Sequence, residues 1–155
     1  MLTNELCITP LPGISDEIAQ EIQISVLKLA AEVGLVGGFE LIVDAAEYKK
    51  LIGINWMTPT ANYWNQIGSV TNFYEQNLRA VLDLPLGSTE LLSKYVVTGV
   101  LKTDQNSDDY RPYLHLMARN PRLKFDQSIK EVGVAGDDLE DLLTEIIHAQ
   151  QYYSL

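Results

Sequence analysis

Ile18, Ile22, Val26, Leu29 and Val33 recur at spacings of three and four, which commits the stretch after Pro12-Gly13 to a helix with one apolar face. Ser15 or Asp16 stands where a helix cap is needed, and Gly34 is a natural stop. Such a helix must lay its stripe on something, and the runs beside it are short and β-type. Leu6 to Thr9 precedes it; Phe39 to Val43 and Leu51 to Ile54 follow it. Polar and small residues, among them Tyr48, Lys49 and Lys50, join the last two runs at a length that suits an antiparallel hairpin. The pattern predicts an α+β fold with mostly antiparallel pairing.

From Asn55 to Gly68 there is no clean period, and Pro59, Asn62, Asn65 and Gly68 predict a long ordered loop. Asn72 with Glu75 three residues on resembles a capping box and opens a second helix. Asp83-Leu84-Pro85-Leu86-Gly87 ends it sharply, because Pro85 forces its predecessor out of the helical region. After Ser88 the character changes. Tyr95 to Leu101, Tyr113 to Met117 and Val132 to Ala135 read as strands, and Asp104 to Asp109 as a polar turn. A closing helix runs from about Asp137 to Tyr152, with acids in its first turn and Leu139, Leu142, Leu143, Ile146 and Ile147 as its stripe. Two parts are expected: a lobe over residues 1–87 and a smaller β-rich subdomain with a terminal helix over 88–155.

Hydrophobic residues make up 46% of the 155, enough for a core. The net charge of −10 repels phosphate backbones and anionic bilayers, so neither nucleic acid nor membrane is an expected partner. The single cysteine, Cys7, has no intrachain partner and no neighbour at metal-ligand spacing, and no apolar run approaches spanning length. Together these predict a cytoplasmic chain. Its cations cluster: Arg111, Arg119, Arg122, Lys124 and Lys130 are opposed only by Asp126, forming either a solvated face or an anion-binding surface.

Glu75-Gln76-Asn77-Leu78-Arg79-Ala80-Val81-Leu82-Asp83-Leu84-Pro85-Leu86-Gly87-Ser88-Thr89 resembles the segment F-E-Q-H-L-R-A-V-L-G-L-P-L-G-S-T. That segment follows the active-site loop in the ATPase subunit of phosphoribosylaminoimidazole carboxylase (carboxyaminoimidazole ribonucleotide synthetase). Thr9-Pro10 resembles the alanine-proline step before that family's long helix. Gly37-Gly38-Phe39-Glu40-Leu41-Ile42-Val43 resembles its glycine-led strand with a central glutamate, and Val132 to Glu140 its last strand and helix. The resemblance runs from about Leu6 to Tyr152 and implies the C-terminal part of an ATP-grasp fold followed by the small β-rich domain. It implies ATP and magnesium as cofactors. Bicarbonate would be activated as carboxyphosphate and the carboxyl group passed to aminoimidazole ribonucleotide. It further implies that a Rossmann-like domain and a nucleotide-gripping lobe precede this part. The expectation is therefore a piece inactive alone, completed by a complementing N-terminal ATP-grasp chain or associating as a homo-oligomer.

On this resemblance Glu40 matches the first metal glutamate, and its ordinary alternative is a solvated strand residue. Hard magnesium takes oxygen ligands, which ATP-grasp sites supply from two adjacent strands. The family's second strand ends in N-E-x-A-P-R-P-H-N-S-G-H. Counted without gaps, Gly53 stands at its glutamate, Met57 at its arginine, and Pro59 and Thr60 at its histidine and asparagine. A shift of one or two residues brings Asn55 into the ligand role, but no arginine lies between Lys50 and Arg79. Arg119 and Arg122 keep two cations of a later basic motif and are the candidate substrate-binding residues, with surface positions on a strand-turn as the alternative. His115, on the expected strand, and His148, on the last helix, form no triad or metal cluster with other residues at known spacing. Trp56, Tyr63 and Trp64 either stack on a ligand or partner or fill space. Three functions stay open: a non-catalytic binding or oligomerisation module, one lobe of a live ligase, and a binder of nucleotide-like anions.

Overall fold

The apolar stripe of the first helix forms where its period requires. Along the chain the elements run β1 (Leu6–Thr9), α1 (Asp16–Glu32), β2 (Phe39–Val43), β3 (Leu51–Trp56), α2 (Tyr63–Gly68), α3 (Phe73–Val81), β4 (Tyr95–Val100), α4 (Arg111–Arg119), β5 (Lys124–Asp126), β6 (Glu131–Gly136) and α5 (Leu139–Tyr152). The computed structural model describes residues 6–44, 46–48, 50–56, 63–101, 111–126 and 129–152. They fall into two units. A hairpin unit comprises Leu11–Thr60 and Thr71–Ser88; a sheet unit takes Met1–Pro10, Ala61–Val70 and Thr89–Leu155. The sequence predicts a single boundary near residue 87. The chain nevertheless crosses between units more than once, because β1 pairs with β4 and α2 packs on the later strands.

In the hairpin unit, the Ser15 side chain accepts from the Ile18 N–H, and acids occupy the first turn of α1. Gly34 closes α1 at φ 61°, with Leu35 N–H donating to Ala30 and Gly34 N–H to Ala31, a Schellman ending. Strands β2 and β3 pair antiparallel, Glu40 opposite Asn55 and Leu41 opposite Ile54, with a register shift between Ile42 and Val43. Leu41, Val43 and Leu51 line a groove of about 340 Å³ together with Ile22, Val26 and Leu29 of α1.

Helix α3 and the turn after it account for the family-like signature. Asn72 accepts from Glu75 N–H and starts the helix, while Asp83 (φ 55°) ends it in the left-handed region. Leu84 N–H then donates to Arg79 O, and Asp83 N–H to Ala80 O. The Gln76 amide grips Gly87 from both sides, donating to its carbonyl and accepting from its N–H, each at 2.9 Å. Arg79 pairs with Glu75 and donates to Pro85 O at 3.2 Å. Gly87 has no Cβ because one would lie 2.2 Å from the Thr71 hydroxyl.

In the sheet unit, four antiparallel strands lie in the order β1-β4-β6-β5. Val97, Val132 and Val134 on one face meet Leu142, Ile146 and Ala149 of α5, and Leu101, Leu116 and Leu123 complete this core. On the other face α2 lies close: a Cβ on Gly133 would sit 2.4 Å from Ile67, and one on Gly68 2.2 Å from Val96. Covered on both faces, β4 is buried from Val96 to Gly99, which is why it reads as a continuous apolar run rather than an alternating one.

Two expectations are corrected. Tyr113 to Met117 is helix, not strand. Tyr113, Leu116 and Asn120 share a helical spacing: Tyr113 meets Phe125, and Leu116 and Asn120 are buried. This outweighs the Leu114/Leu116 alternation, and Pro112 is tolerated in a first turn. The loop expected from Asn55 to Gly68 begins as the end of β3 and finishes as α2. Residues 57–62, and with them Met57, Pro59 and Thr60, lie outside the described residues, as does the turn at 104–109. Strand β5 is a further element, placing Phe125 in the core from a stretch read only as a basic face.

Candidate functional site

Strand alternation gives the hairpin two faces. Leu41, Val43 and Leu51 face the α1 groove; Glu40, Ile42, Gly53 and Asn55 take the other side. There the Asn55 amide donates to the Glu40 carboxylate at 2.8 Å, across directly opposed strand positions. Both residues are half-buried. The register thus places Asn55 directly opposite Glu40. Gly53 lies diagonal to Glu40 on the same side, and a Cβ there would meet only Ile42 Cδ1, at 3.9 Å.

A carboxylate and an amide on adjacent strands are both hard oxygen donors. They fit a magnesium ion that keeps most of its shell as water and phosphate. Among the described residues no group of three or more His, Cys, Asp or Glu side chains is placed to hold a metal. The Glu40–Asn55 pair offers such an ion two donors.

The cations Arg119 and Arg122 belong to the sheet unit. Arg119 is exposed in the last turn of α4. Arg122 follows in the turn before β5. Its backbone N–H donates to the Asn120 side chain at 2.9 Å, and its guanidinium bonds Asp141 of α5 at 2.8 Å. Both members of that ion pair are about half exposed, so it is worth well under ~1 kcal/mol and an anion can compete for the guanidinium. His115 stands on α4, with its ring stacked on Tyr152 at 4.7 Å; His148 lies 6.4 Å from the same ring. The aromatic trio is divided between units. Trp56 ends β3 and stacks on Phe39 at 6.1 Å, while Tyr63 and Trp64 belong to α2.

The sheet unit also holds an acidic cluster that sequence reading did not find. Asp126 and Glu131 are directly opposed across β5 and β6, with Glu131 8% exposed. Burial first, and then the Asp126 charge, pushes the Glu131 carboxyl up to about 7. Burial raises the Tyr63 phenol to about 12, helped by the charges of Asp126 and Glu131. The available signal was weak: an acid opening the apolar run Val132-Gly133-Val134, with another five residues before it.

No protein-family model matches the sequence. The N5-carboxyaminoimidazole ribonucleotide synthase of Mycobacterium leprae is 36% identical over 94 residues, covering 59% of this chain and 21% of that protein. The synthase of the same name from Mycobacterium tuberculosis is 34% identical over 125 residues, covering 77% of this chain and 29% of its own. The crystal structure of N5-carboxyaminoimidazole synthase from Aspergillus clavatus, in complex with ADP and 5-aminoimidazole ribonucleotide, matches with a TM-score of 0.80 at 18% identity. That match covers 97% of this chain and 44% of that one. The chain thus spans less than a third of these curated relatives and has part of the ATP-grasp fold of such synthases.

Proposed function

We propose that this chain is the C-terminal lobe of an ATP-dependent carboxylase acting on aminoimidazole ribonucleotide, and that it contributes a reduced metal-phosphate site rather than a complete catalytic centre. The Glu40–Asn55 pair carries this reading, because it sets two oxygen donors side by side on adjacent strands, as a phosphate-bridged magnesium requires. Magnesium, when bound, would neutralise charge on the transferring phosphoryl group. Glu40 would hold it by its carboxylate and Asn55 by its amide oxygen once the amide rotates. The M. tuberculosis relative, matched over 77% of this chain, supports the family part of this reading.

One observation favours a non-catalytic module derived from this fold. Gly53 leaves the donor face without a second carboxylate, and no arginine occurs between Lys50 and Arg79. The two readings part in a calorimetric titration of the chain with magnesium-ATP. The carboxylase reading expects heat that disappears in Glu40→Gln and that tightens in Gly53→Glu, where the new side chain has room beside Ile42. If neither the native chain nor Gly53→Glu takes up nucleotide at millimolar concentration, the lobe has a fold without its chemistry.

A further inference from the structure

The face of the sheet that α2 covers carries the acid pair. Strand alternation puts Glu131 and Gly133 of β6 on that face, with Asp126 and Lys124 of β5 directly opposite them. Glycine at 133 lets α2 lie close on the strand: a Cβ there would sit 3.3 Å from the Tyr63 ring and 2.4 Å from Ile67. Tyr63, 5% exposed, thus roofs the strand beside Glu131. The two ends of α2 are held by different means. Backbone bonds tie its C-terminal end: Leu92 N–H donates to Gly68 O at 2.7 Å, Val70 N–H donates to Glu90 O at 2.9 Å, and Ser69 bridges to Leu91. Its first residue is held by packing over the acids.

We propose that Glu131 is the latch of a pH-sensitive clasp: its neutral carboxyl lets Tyr63 seal the first turn of α2 onto the sheet, and its ionisation releases that turn while the far end stays tied. A second carboxylate beside Asp126 is unfavourable in a buried place and must be hydrated. Strand pairing from Lys124 to Asp126 holds β5 against β6, so water enters most readily under Tyr63, where packing alone has to give way. Among the described residues, the groups around Glu131 are few. From β5 come Asp126 and, two residues back, the exposed Lys124; from β4 comes Val100, directly opposite; from α2 comes Tyr63, its one titratable side chain; and Lys130 adjoins Glu131 in the chain. Burial and the Asp126 charge raise Glu131 from 4.5 to about 7, while the Tyr63 phenol, raised to about 12, stays neutral. A folded value above the unfolded one means that the clasp is fully shut below 4.5 and loosens as pH rises to 7. Helix α2 is the first element after β3, the strand of Asn55, so the chain beyond Asn55 has a looser anchor in neutral than in acidic solution. This does not depend on the proposed carboxylase role.

Amide hydrogen exchange of the whole chain across this pH range, corrected for intrinsic rates, tests the clasp. The amide of Ile67 closes the first turn of α2. Its protection should lie well below that of the β4 amides, fall by up to about tenfold per pH unit on the approach to 7, and level off above it. Val70 and Leu92, which tie the far end, should stay better protected. In Glu131→Gln the fall at Ile67 should vanish. In Asp126→Asn it should level off at lower pH, because the neighbouring charge is gone; this second variant carries the test if the first does not fold. Equal protection of Ile67 and β4 at every pH overturns the proposal, since Glu131 then acts on global unfolding alone. Loss of protection at Phe125 with Ile67 unchanged also overturns it, because hydration then comes through β5. A fall at Ile67 that survives Glu131→Gln assigns the titration to another group and overturns it as well.

Discussion

Glu131 is the residue whose environment most directly sets a measurable property. A carboxyl pushed up to about 7 from an unfolded value near 4.5 favours the fold fully below 4.5, and that contribution is lost as pH rises through 7. The facing groups are Asp126 on β5 and Tyr63 on α2, the first carrying charge and the second staying a neutral phenol. Glu131→Gln keeps the shape and removes the charge. It should flatten the fall in stability between pH 5 and 7 and stabilise the protein at pH 8 by roughly 1–3 kcal/mol. Thermal melts of the two proteins across that range check this, and equal slopes would remove the cluster from the account. Nothing in local sequence announces the arrangement, since it depends on a strand pairing that brings Asp126 opposite Glu131.

At the scale of elements, the longest family-like stretch is a device for stopping a helix. Asn72 starts α3, Asp83 turns out of it, and Gln76 and Arg79 tie the following turn back to the helix. The family pattern has glycine where Asp83 stands at φ 55°, and glycine bears no Cβ penalty there. Asp83→Gly should therefore stabilise the chain by roughly 1 kcal/mol, read as a shift in the urea midpoint at unchanged slope. No shift, or a loss, would mean that the aspartate side chain makes a compensating bond. Elements of this kind were legible because caps, stops and periods are local: α1, α3, the hairpin and α5 stand near their expected places. Helix α4 was not, because Leu114 and Leu116 mimic alternation and only packing against Phe125 reveals the competing period. The Glu40–Asn55 pairing was half legible: the residue types were visible, but the register needed the bulge between Ile42 and Val43.

The whole molecule is two units of unequal self-sufficiency, and no described helix is long and apolar enough to cross a membrane. The sheet unit has a core clothed on both faces, while the hairpin unit has an amphipathic helix over a two-stranded ribbon. Unfolding should therefore not be two-state. The two tryptophans report separately, Trp56 from the hairpin unit and Trp64 from the sheet unit. With Trp64→Phe, fluorescence should show an early, shallow denaturant transition; with Trp56→Phe, a later, steeper one. Coincident midpoints would show instead that the two units cooperate as one.

The two-faced β2 strand has a consequence for inheritance. Leu41 and Val43 look into the groove, while Glu40 and Ile42 look the other way. Selection for a foldable lobe therefore acts on alternate codons of this stretch, and selection for chemistry acts on the codons between them. Substitutions can accumulate on the donor face, where Gly53 already leaves room beside Ile42, without registering in folding. A chain with this geometry can drift away from its reaction while every screen for stability still passes it.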